Sequence, residues 1–394
     1  MKRTKKIVIS ICAIFIIVSL GVCFVVASAF DGKLQEYKGA QNFNWDKLQP
    51  DISKKTVFIV ADNEGTEMFD FFAPYYLFNA TAQANVYVVS EKKQQILLFN
   101  SLFVLPHFTF SEIDSLNIKA DILVIPNMTM SLKTPPKIST VNWVKKQYTG
   151  KNIILSICDG AATVAATGLY DGKPITTHAT DFETLKKQFD GPIWVRDVTV
   201  TESGNLYSTA GVPNGVEGSL TVIKRVFGDQ TLQKVLLDVK YPHADIQVKH
   251  NSIKVTTGSI FSAVARVLFK KRTNIGVLLQ NEINEFELGS LLDVYGRTFP
   301  KSLNSFSNDN KPVKSKYGLT LIPSGRLDHD QVDEIHILNT SVFTVADKTR
   351  MAKATVKNYA LTKNQYIIDL YLENIEKAYG RKFMNFVKLT LDYN

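Results

Sequence analysis

Apolar residues along this chain fall into distinct patterns, and each predicts a different element. From residue 7 to residue 30 the chain reads IVISICAIFIIVSLGVCFVVASAF without a charge. As a helix, that run is long enough to cross a hydrocarbon core of about 30 Å. Residues 31–54 are polar with no sustained period and read as a tether. Further on, short β-branched-rich runs alternate with helix-like stretches: VFIVA (57–61), NVYVVS (85–90), ADILVIP (120–126) and NIILSI (152–157). This alternation predicts βαβ units, a buried parallel sheet and helices on both of its faces.

Charge around the first apolar run adds a direction. KRTKK (2–6) precedes it and Asp31 comes directly after it, which predicts the N-terminus inside and the remainder outside. A cleaved signal peptide is the competing reading, because Ala27-Ser28-Ala29 resembles a cleavage site. The apolar run is longer than a usual signal core, so an uncleaved anchor is expected: a single-pass cell-membrane protein, membrane-bound through residues 7–30, its globular part extracytoplasmic.

Length and composition narrow the class. At 394 residues the chain exceeds one ordinary domain, and 45% hydrophobic residues argue for folded domains. The net charge of +9 comes from scattered lysines, which reads as a solvated basic surface, and no nucleic acid is expected as a partner. Cys12 and Cys23 lie in the first apolar run, and Cys158 is the single cysteine beyond it, so no disulfide scaffold is expected. His107, His178, His243, His250, His329 and His336 show no metal-ligand spacing. Neither a metal nor a cofactor is expected.

The chemistry concentrates in NIILSICDGAATVAATGL (152–169). A buried strand runs into Cys158, then Asp159-Gly160 and an Ala-rich helix. A strand–nucleophile–helix turn places its nucleophile at the carboxyl edge of the sheet, where ligands of open α/β folds bind. The helix N-terminus lowers a thiol pKa, an ionised Asp159 raises it, and the N–H groups of Asp159 and Gly160 are candidate oxyanion donors. A buried core cysteine is the plain alternative.

Four segments together resemble the ThiJ/PfpI family, a branch of the class I glutamine amidotransferase-like superfamily. They are VFIVADNEGTEMFDFFAPYYLF (57–78), SICDGA (156–161), GLYDGKPITTHATDFETL (168–185) and NLYSTAGVPNGVEGSLTVIKRVFG (205–228). The resemblance implies a flavodoxin-like doubly wound sheet over residues 55–241. It also implies that Cys158 is the catalytic nucleophile, with Asp70 as a protonated acid that hydrogen-bonds its thiolate and His178 as a proton shuttle or orienting group. PfpI-type enzymes carry His directly after the cysteine, but Asp159 stands there, which speaks against peptidase activity.

The second half echoes the first. NIGVLLQNEINEFELGSLLDVY (274–295) parallels residues 57–78, and VDEIHILN (332–339) parallels ADILVIPN (120–127). IDLYLENIEKAYGRKFMNFVKLTLDY (368–393) parallels residues 216–241. Between Asn339 and Ile368 there is no cysteine elbow, and Glu287 holds the acid position with no thiol to serve. The expected organisation is therefore a basic tail and anchor (1–30), a linker (31–54), the ThiJ/PfpI-like domain (55–241), a connector (242–272) and a shortened, degenerate repeat of the same fold (273–394). Within the connector, residues 258–272 read as an interdomain helix, or as an amphipathic helix lying on the membrane surface. The two repeats are expected to pack as a pseudo-dimer. The expected function is Cys158-dependent hydrolysis or hydration of a small-molecule electrophile (isonitrile, aldehyde or amide) assisted by Asp70; the alternative is a non-catalytic sensory or regulatory module.

Overall fold

The computed structural model describes residues 37, 39, 43, 45, 48, 50–99, 101–128, 135–246, 249–252, 256–339, 354–359 and 365–393. The four β-branched-rich runs become strands β1 (Lys55–Ala61), β2 (Ala84–Ser90), β4 (Ile122–Ile125) and β5 (Ile153–Ser156), with β3 (Phe108–Thr109) between the second and third. With β6 (Val200–Ser203) and β7 (Leu206–Thr209) they form a seven-stranded sheet in the order β6-β7-β5-β4-β1-β2-β3. All pairings are parallel except β6 with β7.

Burial on both faces explains why the runs are continuously apolar rather than alternating. Successive side chains of a strand point to opposite faces. Accordingly Val57, Ile59 and Ala61 join one core and Phe58 and Val60 the other. The first core takes helices α1 (Met68–Ala80) and α3 (Asn214–Phe227), and the second takes α2 (Gly160–Ala166). Helix α1, MFDFFAPYYLFNA, is apolar nearly all round because sheet and neighbouring helices enclose it.

After α4 (Thr257–Phe269) comes a second, wholly parallel sheet. Its strands are β8 (Asn274–Leu278), β9 (Ser302–Phe306), β10 (Glu334–Ile337) and β11 (Thr355–Asn358), in the order β9-β8-β10-β11. Helices α5 (Glu285–Gly296), α6 (Ile367–Tyr379) and α7 (Arg381–Leu391) accompany it. Ile275 and Val277 of β8 belong to the same apolar core as Val57 and Ile59. Helix α5 lies against α1, with the Phe69 and Phe286 rings 5.2 Å apart. A Cβ on Gly289 would stand 2.8 Å from the Cβ of Phe72, so only glycine allows this approach. A small antiparallel sheet also joins the halves, Leu321 pairing with Val104.

The expected transmembrane helix and single-pass membrane localisation require correction. Residues 7–30 lie outside the described residues, and among those described no helix is long and apolar enough to cross a membrane. The apolar connector helix α4 has 13 residues. At about 1.5 Å per residue it spans roughly 20 Å, short of a hydrocarbon core of about 30 Å. It packs on α7, with Ala263, Arg266 and Val267 buried.

Candidate active site

The site begins with a backbone constraint. β5 ends at Ser156, Ile157 N–H donates to Ile125 O at 3.0 Å, and Cys158 then turns into the left-handed region at φ 53°. A non-glycine residue there costs on the order of 1 kcal/mol, and such strain concentrates at functional sites. Helix α2 starts two residues later at Gly160, where a Cβ would stand 2.1 Å from Ile125 O. Only glycine lets the elbow close so tightly over β4.

Cys158 is buried, 3% exposed, and is a free thiol. It lines a cavity of ≈450 Å³ together with Glu67, Asp159, His178, Asp181 and Arg297. Asp70 stands behind this wall, fully buried, with Oδ2 accepting from Asn127 N–H at 3.1 Å. Glu67 caps α1, its Oε2 accepting from Asp70 N–H at 2.6 Å. Asp70 Oδ1 and Glu67 Oε1 have no hydrogen-bond partner among the described residues. The sequence pattern thus brings Cys158, Asp159 and His178 to one cavity, with Asp70 beside it.

Electrostatics in this cluster favour protons. Burial, with the nearby Asp293 charge adding to it, pushes the Asp70 carboxyl up to about 7. Burial drives Glu67 and Asp159 well above the ordinary carboxylate range as well, helped by Asp293 and Asp181 respectively. The Cys158 thiol is also pushed well above its usual value, by burial first and then by the charges of Asp70, Asp159, Glu67 and Asp181. The lowering expected from the helix N-terminus is outweighed by burial of the thiol and by these carboxyls. Gly160 N–H donates to Ile157 O at 2.9 Å, so this oxyanion candidate is already engaged.

His178 is held at both ring nitrogens. Nε2 lies 3.2 Å from Thr390 O, and since a carbonyl only accepts, Nε2 carries the proton. Nδ1 therefore accepts from Thr180 Oγ1, at 2.8 Å. Burial holds the imidazole below its usual pKa, hence neutral. A proton shuttle through His178 would first have to break one of these bonds.

The residues that the sequence pattern does not disclose come from the second half. Arg297, one residue past α5, reaches Glu67 Oε1 at 3.6 Å and Asp293 Oδ1 at 2.8 Å, and its Nη1 donates to Thr390 O at 2.5 Å. Its Nε has no partner among the described residues. Asp392, just after α7, accepts from Ala179 N–H at 3.0 Å and lies 3.3 Å from the buried His250. Glu67, from the first half, occupies the N-cap of α1, where Ser, Thr, Asp or Asn is the usual signal. Among the described residues no group of three or more His, Cys, Asp or Glu side chains is placed to hold a metal.

Residues 54–225 match the sequence pattern of the DJ-1/PfpI family. Over these residues the chain is similar to that family. An isonitrile hydratase of Pseudomonas putida is 25% identical over 178 residues, covering 45% of this chain and 75% of that protein. The protein dj-1beta of Drosophila melanogaster is 25% identical over 133 residues, covering 34% of this chain and 68% of the relative. The crystal structure of Drosophila DJ-1beta aligns over 48% of this chain and all of its own, at 20% identity and a TM-score of 0.43. A ThiJ/PfpI family protein from Pseudomonas syringae aligns over 50% of this chain and 84% of its own, also at 20% identity and 0.43. Similarity to the DJ-1/PfpI family over residues 54–225 supports a cysteine-centred, hydrolase- or hydratase-like role.

Proposed function

We propose that this protein is a Cys158-dependent hydratase or hydrolase of a small carbon electrophile, with the coupled carboxyls of Asp70 and Glu67 as its proton store. The observation that carries the reading is the strained Cys158 in the wall of a cavity, beside carboxyls whose protons are retained near neutral pH. An acid–base group titrating near the working pH is the effective kind. Asp70 at about 7 meets that condition.

For an isonitrile, the sulfur adds to the terminal carbon while the thiol proton passes through the Asp70–Glu67 pair to that carbon, giving a thioimidate. Water then adds to the same carbon, the C–S bond breaks, the sulfur recovers a proton, and an N-substituted formamide leaves. The net reaction is addition of one water, with no redox change. The Asp159 N–H at the elbow is the amide best sited to meet negative charge developing in the first step. Arg297, partnered by Glu67 and Asp293, offsets the acidity of the pocket.

The second half enters this proposal as a shortened repeat that packs on the first as a pseudo-dimer and lends Arg297 to the site. Two observations support it. The run β9-β8-β10 is parallel like β2-β1-β4, and α5 lies on α1. Size-exclusion chromatography with light scattering is expected to give a monomer, and a stable dimer would count against a pseudo-dimer.

The test of function is turnover of alkyl isonitriles by the full chain and its Cys158→Ala variant, monitoring formamide release. Loss of turnover on the order of 10³-fold or more in the variant is expected. A wild-type protein inert to isonitriles, aldehydes and amides alike, but binding a small molecule in the cavity, would instead favour the sensory module. The high thiol pKa is the observation that keeps this second reading in play.

A further inference from the structure

Two chemically different sets of side chains line the cavity beside Cys158. One set is polar or charged and includes Glu67, Cys158, Asp159, His178 and Arg297. The other is Val212, Ile260, Ala263, Val264, Phe386 and Leu389, with no charge among them. Ile260, Ala263 and Val264 are spaced i, i+3, i+4 along α4, and Phe386, Leu389 and Thr390 repeat that spacing along α7. This spacing puts three residues of each helix on one face. Two packed helices therefore turn largely apolar stripes toward one space. Ala263 is 2% exposed and lies deep, whereas Ile260 is 52% exposed and stands at the mouth.

We propose that the substrate is an amphiphile: a compact electrophilic headgroup at Cys158 joined to an unbranched apolar tail lying between α4 and α7. The proposal rests on the reading of Cys158 as the group that meets the headgroup. A space of ≈450 Å³ falls within the ~300–1,000 Å³ of small-molecule sites and exceeds what the headgroup alone fills. Leaving an apolar wall wet is unfavourable, and each methylene laid on it strengthens binding about fourfold, the equivalent of ~0.8 kcal/mol. Arg297 Nε, without a hydrogen-bond partner among the described residues, offers the headgroup a donor.

The test is calorimetric titration of the full-length Cys158→Ala protein with N-alkylformamides from methyl to octyl, which carry the product headgroup and do not react. The expected result is a Kd that falls about fourfold per methylene until the cavity is full. Ala263→Phe, which fills the space, should reduce that gain below about twofold per methylene. Ile260→Asp at the exposed mouth should weaken only the longer ligands and serves if the deeper variant does not fold. A Kd independent of tail length, an unchanged gradient in both variants, or no binding at any length would overturn the proposal. Turnover by the wild-type protein without a tail-length gradient would sink the amphiphile and spare the nucleophile. A gradient without Cys158-dependent turnover would do the reverse.

Discussion

Replacing Asp70 by Asn removes one buried proton-binding site while keeping shape and an oxygen acceptor for the Asn127 amide, now 3.1 Å from Oδ2. The folded carboxyl titrates at about 7, against an ordinary 3.8. Between those values the folded chain holds more protons than the unfolded one, so stability contributed by this group falls as pH rises. It is fully present below the unfolded pKa and gone above the folded one. A difference of about 3 pH units at 1.36 kcal/mol each sets a ceiling of roughly 4 kcal/mol. Glu67 is coupled to Asp70 and takes up part of the shared proton, and the new amide nitrogen costs on the order of 1 kcal/mol where Oδ1 had no partner. About 2 kcal/mol of net stabilisation should remain for Asp70→Asn near pH 8, shrinking to zero or slightly below near pH 5. Urea unfolding of both proteins across that range measures the difference directly. A difference independent of pH would mean an unshifted carboxyl, and an Asn variant that loses most stability at alkaline pH would mean a carboxylate stabilised when ionised. Asp70 could not then be the proton store.

The same geometry sets three more expectations. Iodoacetamide alkylation of Cys158 should rise only above the ordinary thiol range of about 8.5, and Asp70→Asn should move the onset down by removing a negative charge. An onset below that range in the wild-type protein would contradict a carboxyl-rich surrounding of the sulfur. Gly160→Ala should cost about 3 kcal/mol or more, because its methyl meets the Ile125 carbonyl at 2.1 Å; an unchanged melting temperature would refute the close approach. Arg297→Ala leaves Glu67 and Asp293 without their cation and should cost about 2–3 kcal/mol at neutral pH, less than a fully buried pair because the side chain is 21% exposed. An unchanged melting temperature in the variant would refute the pairing.

Much of the first domain was legible because its signals are local. A strand buried on both faces must be continuously apolar, and four such runs were visible at VFIVA, NVYVVS, ADILVIP and NIILSI. The elbow was legible for a similar reason. A nucleophile between a buried strand and a small-residue helix needs glycine two positions on, and Gly160 meets β4 there. The electrostatics were not legible. Sequence position places Cys158 at a helix N-terminus with Asp159 beside it, but the sign of its pKa shift depends first on burial and then also on Asp70, Glu67 and Asp181, which only the fold brings near. The membrane expectation failed differently. It rested on residues 7–30, outside the described residues, and no described helix is long and apolar enough to cross a membrane.

The parts that escaped sequence reasoning share a physical cause: they are contacts between distant stretches of chain. Arg297 and Thr390 stand far from Cys158 in sequence, yet Thr390 O receives both Arg297 Nη1 and His178 Nε2. That carbonyl belongs to the last turn of α7, where free carbonyls and the negative end of the helix dipole attract donors. The last turn of the final helix thereby fixes the tautomer of a histidine in the first domain and orients the arginine over the pocket. Val212 N–H donates to Leu391 O at 3.2 Å, and a Cβ on Gly211 would meet the Cβ of Asp392 at 2.4 Å, so the turn before α3 is shaped to receive the same helix end. A second half serving only as a scaffold would need none of these contacts at the cavity wall. Their convergence on one carbonyl and one turn argues that the two halves build the site together, and that the first domain expressed alone would hold Cys158 in an incomplete pocket.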